Sequence, residues 1–166
     1  MPGTELAWLG LKLLLLLAAA NTAPLQAKTW LGARWAAPID FGLVLPDGRP
    51  LLGRSKTWRG LAAAVLATTL AAPLLGLPVA IGAVVGLGAM AGDALASFTK
   101  RRLGTPPSGR ATGIDQIPEA LLPLLLVREP LGLPWWLVIA LPLVFFALEI
   151  PLAKLWHRLG WRDKPY

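Results

Sequence analysis

Five apolar stretches separated by short basic segments constrain this chain more than any single motif does. They run from Leu6 to Ala20, Gly60 to Leu77, Pro78 to Phe98, Ile114 to Leu131 and Pro134 to Leu155. A bilayer core is crossed by about 17 to 25 residues of helix, and the second, third and fifth stretches meet that length outright. The residue balance agrees, with 55% hydrophobic against 15% charged residues and a mean hydropathy of +0.60, outside the soluble globular range. The expectation is an all-α polytopic membrane protein of about five transmembrane helices, forming a single membrane domain over residues 1–166.

The first and fourth stretches need argument. The first is short enough for a signal peptide, but its leading region carries Glu5 and no basic residue, and Pro24 spoils a cleavage site after Ala23, so it is read as a span. The fourth contains Asp115, Glu119, Arg128 and Glu129 and is interrupted by Pro118 and Pro123. Charged or broken helices are tolerated in membranes where they line a protein cavity, so this segment is expected to face a site.

Cations set the orientation. With the N-terminus outside and the C-terminus inside, fourteen of the 16 Lys and Arg residues fall on the inner side, in loops at about 21–59 and 99–113 and in the C-terminal tail. Lys12 lies within the first span, and Arg128 alone faces out. All eight tryptophans sit at or beyond span ends, as an interfacial belt requires. The expected location is the cell inner membrane, multi-pass, with the working face towards the cytoplasm. On the third span Gly82 and Gly86, and again Gly88 and Gly92, stand four apart. That spacing lets helix backbones approach closely, either within the protomer or in a homodimer.

The absence of cysteine excludes disulfides, thiolate nucleophiles and zinc-thiolate or iron-sulfur sites. The only histidine, His157, lies in the C-terminal tail, so no serine-histidine or cysteine-histidine pair is available for covalent catalysis. A net charge of +7 would suggest nucleic acid in a soluble protein. Here the cations border apolar spans, and the expected partners are anionic lipid or nucleotide, with no nucleic acid.

Chemistry concentrates between Gly86 and Gln116, GLGAMAGDALASFTKRRLGTPPSGRATGIDQ. A charge near hydrocarbon costs about 2.5 to 3.5 kcal/mol on insertion scales, so Asp93 needs a partner or a cation. Asp93, Ser97 and Lys100 are spaced i, i+4, i+7 and share a helix face, with Arg101 and Arg102 following. A carboxylate beside such cations suits a magnesium-bound nucleotide phosphate. The first inner loop, DGRPLLGRSKTWRG from Asp47 to Gly60, interleaves Arg49, Arg54, Lys56 and Arg59 with glycines that permit close backbone approach to oxyanions. It is not a P-loop, since a Walker A pattern would need glycine at Pro50 and Ser55. GRATGIDQ adds a second carboxylate, Asp115, at the mouth of the fourth span. Two carboxylates permit a divalent ion to be bridged through substrate phosphates. The reaction is then expected to use an already ionised nucleophile such as a phosphate oxygen.

Taken together, Asn21 with Pro24, then DGRPLLGRSKTWRG, then GDALASFTKRR, then the glycine-preceded Asp115 and Gln116, resemble the signature of the CDP-archaeol synthase family, distant kin of phosphatidate cytidylyltransferases. The resemblance spans about Asn21 to Gln116. It implies that CTP and a membrane lipid phosphate react, with magnesium, to give a CDP-activated lipid and pyrophosphate. It also implies that Asp93 and Asp115 hold the metal, and that Lys56, Arg59, Lys100, Arg101 and Arg102 bind the triphosphate and lipid phosphate. Asp47, Arg49, Thr57, Ser97 and Gln116 would shape the pocket, with Asp93, Lys56, Lys100 and Asp115 closest to the chemistry. The chain departs from the family at Gly53, Arg54 and Ser55, where an added cation bears on the identity of the lipid acceptor. A different reading, a small transporter or channel subunit, would string Asp93, Glu119 and Glu149 into a carboxylate relay. The crowding of motifs on one membrane face weighs against it.

Overall fold

The computed structural model describes residues 3–105 and 116–158, with side chains described up to Leu148 and at Pro151. It contains five helices, α1 (Gly3–Leu31), α2 (Trp58–Leu74), α3 (Val79–Arg102), α4 (Gln116–Leu131) and α5 (Trp135–Arg158). Among the described residues there is no extended strand, only isolated bridges joining Pro38 to Thr57 and Val44 to Pro50 in the loop before α2.

The helices follow the expected stretches, with instructive shifts. α1 does not stop at Ala20 but runs 29 residues to Leu31, about 43 Å of helix. The loop therefore begins after Leu31 and not at Asn21. Pro24 lies inside the helix, and the packing accommodates it: a Cβ placed on Gly60 of α2 would stand 3.5 Å from the Pro24 ring. α2 starts earlier than expected because Thr57 caps it, its hydroxyl accepting the Gly60 N–H at 3.1 Å. It ends at Leu74, ahead of Gly76 and Pro78, and its 17 residues span about 25 Å. α1 and α3 are each long and apolar enough to cross a membrane, while α2 and α5 are shorter apolar helices within the described residues.

α3 is the central element, packed against α2 on one side and α4 on the other. Its two glycine pairs serve these two neighbours separately. A Cβ at Gly86 would come within 2.8 Å of the Val65 Cα on α2, and one at Gly82 within 2.7 Å of Ala72. On the opposite face a Cβ at Gly88 would lie 2.7 Å from the Pro123 Cα, and one at Gly92 2.8 Å from the Glu119 Cα, both on α4. The glycine faces are thus spent inside the protomer. Around them Leu13, Leu16, Leu17, Val85, Leu124, Val127 and Val138 are fully buried and unite α1, α3, α4 and α5.

At the end of the bundle that carries the α4–α5 turn, Arg128 stacks over the Trp135 ring with its guanidinium carbon 4.1 Å from the centroid. Alanines on α1 and α2 leave an open groove of about 300 Å³ lined by Ala18, Ala19, Thr22, Ala23, Gln26 and Ala67.

Candidate active site

The loop of residues 32–57 would be long for an unstructured connection, and its own polar groups order it. Asp40 is the hub. Its Oδ1 accepts the Gly42 N–H at 3.0 Å, and its Oδ2 accepts those of Leu52 at 2.9 Å and Gly53 at 3.1 Å. Partial burial pushes its carboxyl upward, but the N–H donations from Leu52, Gly42 and Gly53 outweigh this and hold its pKa below the ordinary value. Beyond the hub the chain doubles back, Leu51 N–H donating to the Leu43 carbonyl at 2.8 Å and Leu45 N–H to that of Arg49 at 2.9 Å. Gly53, at φ 98°, makes the bend that follows, and its missing side chain leaves the Arg101 guanidinium 3.8 Å from where a Cβ would stand. The loop closes as Ile39 N–H meets the Lys56 carbonyl at 2.8 Å and Trp58 N–H meets that of Ala37 at 3.1 Å.

This path delivers Lys56 to α3. Its Nζ donates to Asp93 Oδ2 at 2.5 Å, with the side chains 18% and 26% exposed. A residue of the loop and a residue of a mid-bundle helix, 37 positions apart, thereby meet. The partner that Asp93 needs comes from the loop, as its cost near hydrocarbon demands.

A second set of contacts ties the loop to the end of α3. Arg102 donates to Asp47 Oδ2 at 2.5 Å, to the Pro50 carbonyl at 2.7 Å and to that of Arg49 at 3.3 Å. Arg49 answers by donating to the carbonyls of Arg102 at 2.5 Å and Arg101 at 3.4 Å at the helix terminus, where the Arg101 carbonyl also accepts the Gly104 N–H at 3.2 Å. Solvent loss acts to raise the Asp47 carboxyl, yet the Arg49 N–H and the Arg102 guanidinium pull it below its ordinary value. Arg59 works similarly at the far end of the loop, donating to the carbonyls of Gly32 at 2.7 Å and Arg34 at 2.8 Å just past α1.

The residues expected from sequence therefore separate by role. Lys56 and Asp93 meet directly. Asp47, Arg49 and Arg102 form a clasp, Arg59 ties α1 to α2, and Thr57 caps α2. Ser97 and Arg101 are buried on α3, Lys100 is half-buried beside them, and Gln116 and Glu119 are buried where α4 closes on α3. Asp115 and Arg110 lie outside the described residues, as does the side chain of Glu149. Asp40 was absent from the expected set. Its signal was available in Asp40-Phe41-Gly42, an acidic residue two positions before glycine, the spacing of an Asx turn.

Comparison with known proteins gives concordant results. A protein-family model described as CarS-like CDP-archaeol synthase matches residues 7–166. A CDP-archaeol synthase of Methanopyrus kandleri is 39% identical over 169 aligned positions, covering 96% of this chain and 96% of the relative. One from Pyrococcus furiosus is 32% identical over 78% of this chain and 83% of its own length. A solved structure, described as structural insight into an intramembrane enzyme for archaeal membrane lipids biosynthesis, superposes with a TM-score of 0.72 at 33% identity. That superposition covers 85% of this chain and 90% of the other. With a family match over residues 7–166 and a relative that is 39% identical over 96% of both chains, this chain belongs to the CDP-archaeol synthase family.

Proposed function

We propose that the chain transfers CMP from CTP to a membrane lipid phosphate, giving a CDP-activated lipid and pyrophosphate, at the place where Lys56 meets Asp93. The observation that carries this is their 2.5 Å contact, which joins a basic loop to the one carboxylate of α3, seven and eight residues ahead of that helix's own Lys100 and Arg101. A triphosphate entering there meets Lys56, Lys100 and Arg101 while remaining close to a carboxylate. An oxygen of the lipid phosphate attacks the α-phosphorus of CTP, a new P–O bond forms, and the bond to the β-phosphate oxygen breaks. The attacking oxygen is already ionised, so no general base is required, and the cations offset charge on the departing pyrophosphate.

Magnesium suits the pair of carboxylates read from the sequence. It commonly takes one or two protein carboxylates and completes its shell with phosphates and water, so Asp93 and Asp115 would hold it without a cluster of three acidic ligands. Bound there, it supplies neutralisation of the triphosphate charge.

The same reading places five helices across the cell inner membrane, N-terminus out and C-terminus in, with the loops of α1–α2 and α3–α4 in the cytoplasm. The one-sided distribution of Lys and Arg supports this orientation, and a second supporting contact is Arg128 held on Trp135 at the opposite end of the bundle. The carboxylate relay of a transporter is not favoured, because Asp93 is engaged by a loop lysine and the family is a transferase family.

Purified protein with magnesium and labelled CTP should convert archaetidic-type ether lipid phosphates or diacyl phosphatidate to the CDP-lipid with release of pyrophosphate. Absence of product with both acceptors would overturn the assignment.

A further inference from the structure

We propose that the segment from Trp30 to Val44 is a membrane-docking edge that lies in the headgroup layer of the leaflet on which the active site opens, its occupant being an anionic lipid surface. Three contacts set its depth. Trp58 begins α2, and Trp58 N–H donates to the Ala37 carbonyl at 3.1 Å. Arg59, in the first turn of α2, holds the Gly32 and Arg34 carbonyls at 2.7 and 2.8 Å. The Phe41 ring stands 6.4 Å from that of Trp58. Residues 32–41 are therefore level with the start of a short apolar helix, at the boundary between hydrocarbon and water.

What this segment presents at that level is apolar. Trp35 is 77% exposed and Phe41 80%, and Trp30, Leu43 and Val44 are exposed beside them. Trp35 and Phe41 adopt φ of 53° and 50°, the left-handed region that bulky side chains seldom enter. Such strain persists only where the surroundings favour it, and it turns both rings out of the protein. An interface accommodates aromatic rings of this kind. Exposed Arg34 stands beside Trp35 and exposed Lys28 just ahead of Trp30, which suits anionic headgroups and opposes docking onto a second copy of a chain whose net charge is +7. The loop is thus held at two edges, by the clasp to Arg102 on one side and by lipid on the other.

The absence of cysteine makes the test direct, since any introduced thiol is unique. Full-length Phe41→Cys and Trp35→Cys carry an environment-sensitive fluorophore in nanodiscs with and without anionic lipid, with Pro46→Cys at the turn of the loop as reference. The expected result is a blue shift and loss of most emission at positions 41 and 35 when the lipid bears a spin label near its headgroup, stronger with anionic lipid, and little change at 46. Equal quenching at all three positions, none at 41 and 35, or protection that rises with protein concentration would overturn the proposal, the last in favour of a second copy. If Phe41→Cys does not fold, Leu43→Cys takes its place under the same criteria. A kinetic arm rests on the proposed function: Trp35→Ser with Phe41→Ser should raise KM for lipid phosphate severalfold in bilayers and leave KM for CTP unchanged. Quenching is read without turnover, so its failure is distinguishable from failure of the catalytic reading. Unchanged KM for lipid phosphate would count against the docking edge.

Discussion

Two ion pairs fasten the same loop to the same helix at the same distance, and they differ in everything else. Lys56–Asp93 and Arg102–Asp47 are both 2.5 Å long. The first lies inside the bundle, its partners 18% and 26% exposed, and the carboxylate belongs to the helix. The second lies at the rim, 24% and 42% exposed, the carboxylate belongs to the loop, and backbone carbonyls accept from the same guanidinium. Distance alone does not assign a role. Among the described residues the side chains of the inner pair have no accompanying carbonyl hydrogen bonds, whereas the rim pair is embedded in them and acts as a fastening.

The largest effect should come from the inner pair. Asp93→Asn is expected to lower kcat by about 10²–10³-fold, the scale on which a charge at a reacting centre acts, while circular dichroism and detergent-phase thermal unfolding stay close to those of the parent. Activity within a few-fold of the parent would remove Asp93 from the reaction. Reversing charges sharpens the contrast. Arg102→Asp with Asp47→Arg should recover much of the activity lost by either single change, because a fastening works in both polarities. Lys56→Asp with Asp93→Lys should remain inactive, because anionic phosphates require the cation on the loop. Equal rescue of both pairs would erase the distinction. Smaller again, Arg102→Ala is expected to lower kcat/KM about tenfold and to speed proteolysis between residues 43 and 52, its hydrogen bonds being charge-assisted but solvent-screened.

The smallest effect is in pH. Asp40 and Asp47 both have folded pKa values depressed below 3.8, so the stability they give the loop is present above the unfolded value and is lost as pH falls through the folded one. Proteolytic protection of the loop should therefore hold from neutrality down to mildly acidic conditions and disappear only below the ordinary carboxylate value. Loss of protection already near neutral pH would show that these carboxylates do not hold the loop.

Much of this was legible beforehand, for reasons that differ by residue. The five apolar stretches announced the helices, and the cost of a carboxylate near hydrocarbon announced that Asp93 would find a cation. Which of the loop's cations it would be was not legible, since Arg49, Arg54, Lys56 and Arg59 carry the same charge and only the folded path of the loop distinguishes them. Nor were the hydrogen-bond partners of Arg49, Arg59 and Arg102 legible, because sequence records a donor but not its acceptor: Arg49 and Arg59 donate to backbone carbonyls at helix ends, and Arg102 to the Asp47 carboxylate and to carbonyls of the loop. The first stretch ends at Ala20 in the sequence because the unbroken apolar run stops at Asn21, whereas the helix continues through Pro24 to Leu31. Over Gly60 the proline ring has a place to sit. Asp115 and Glu149 are read from sequence alone, because their side chains fall outside the described residues.

The seam on either side of α3 has a mechanical consequence. Where Gly82, Gly86, Gly88 and Gly92 stand, the neighbouring helices approach so closely that an added Cβ would meet a main-chain atom less than 3.0 Å away at every one of them. Asp93 is therefore carried on a helix whose separations from α2 and α4 are set by contact with their main chains, so that a single added methyl anywhere along the seam would have to displace a whole helix.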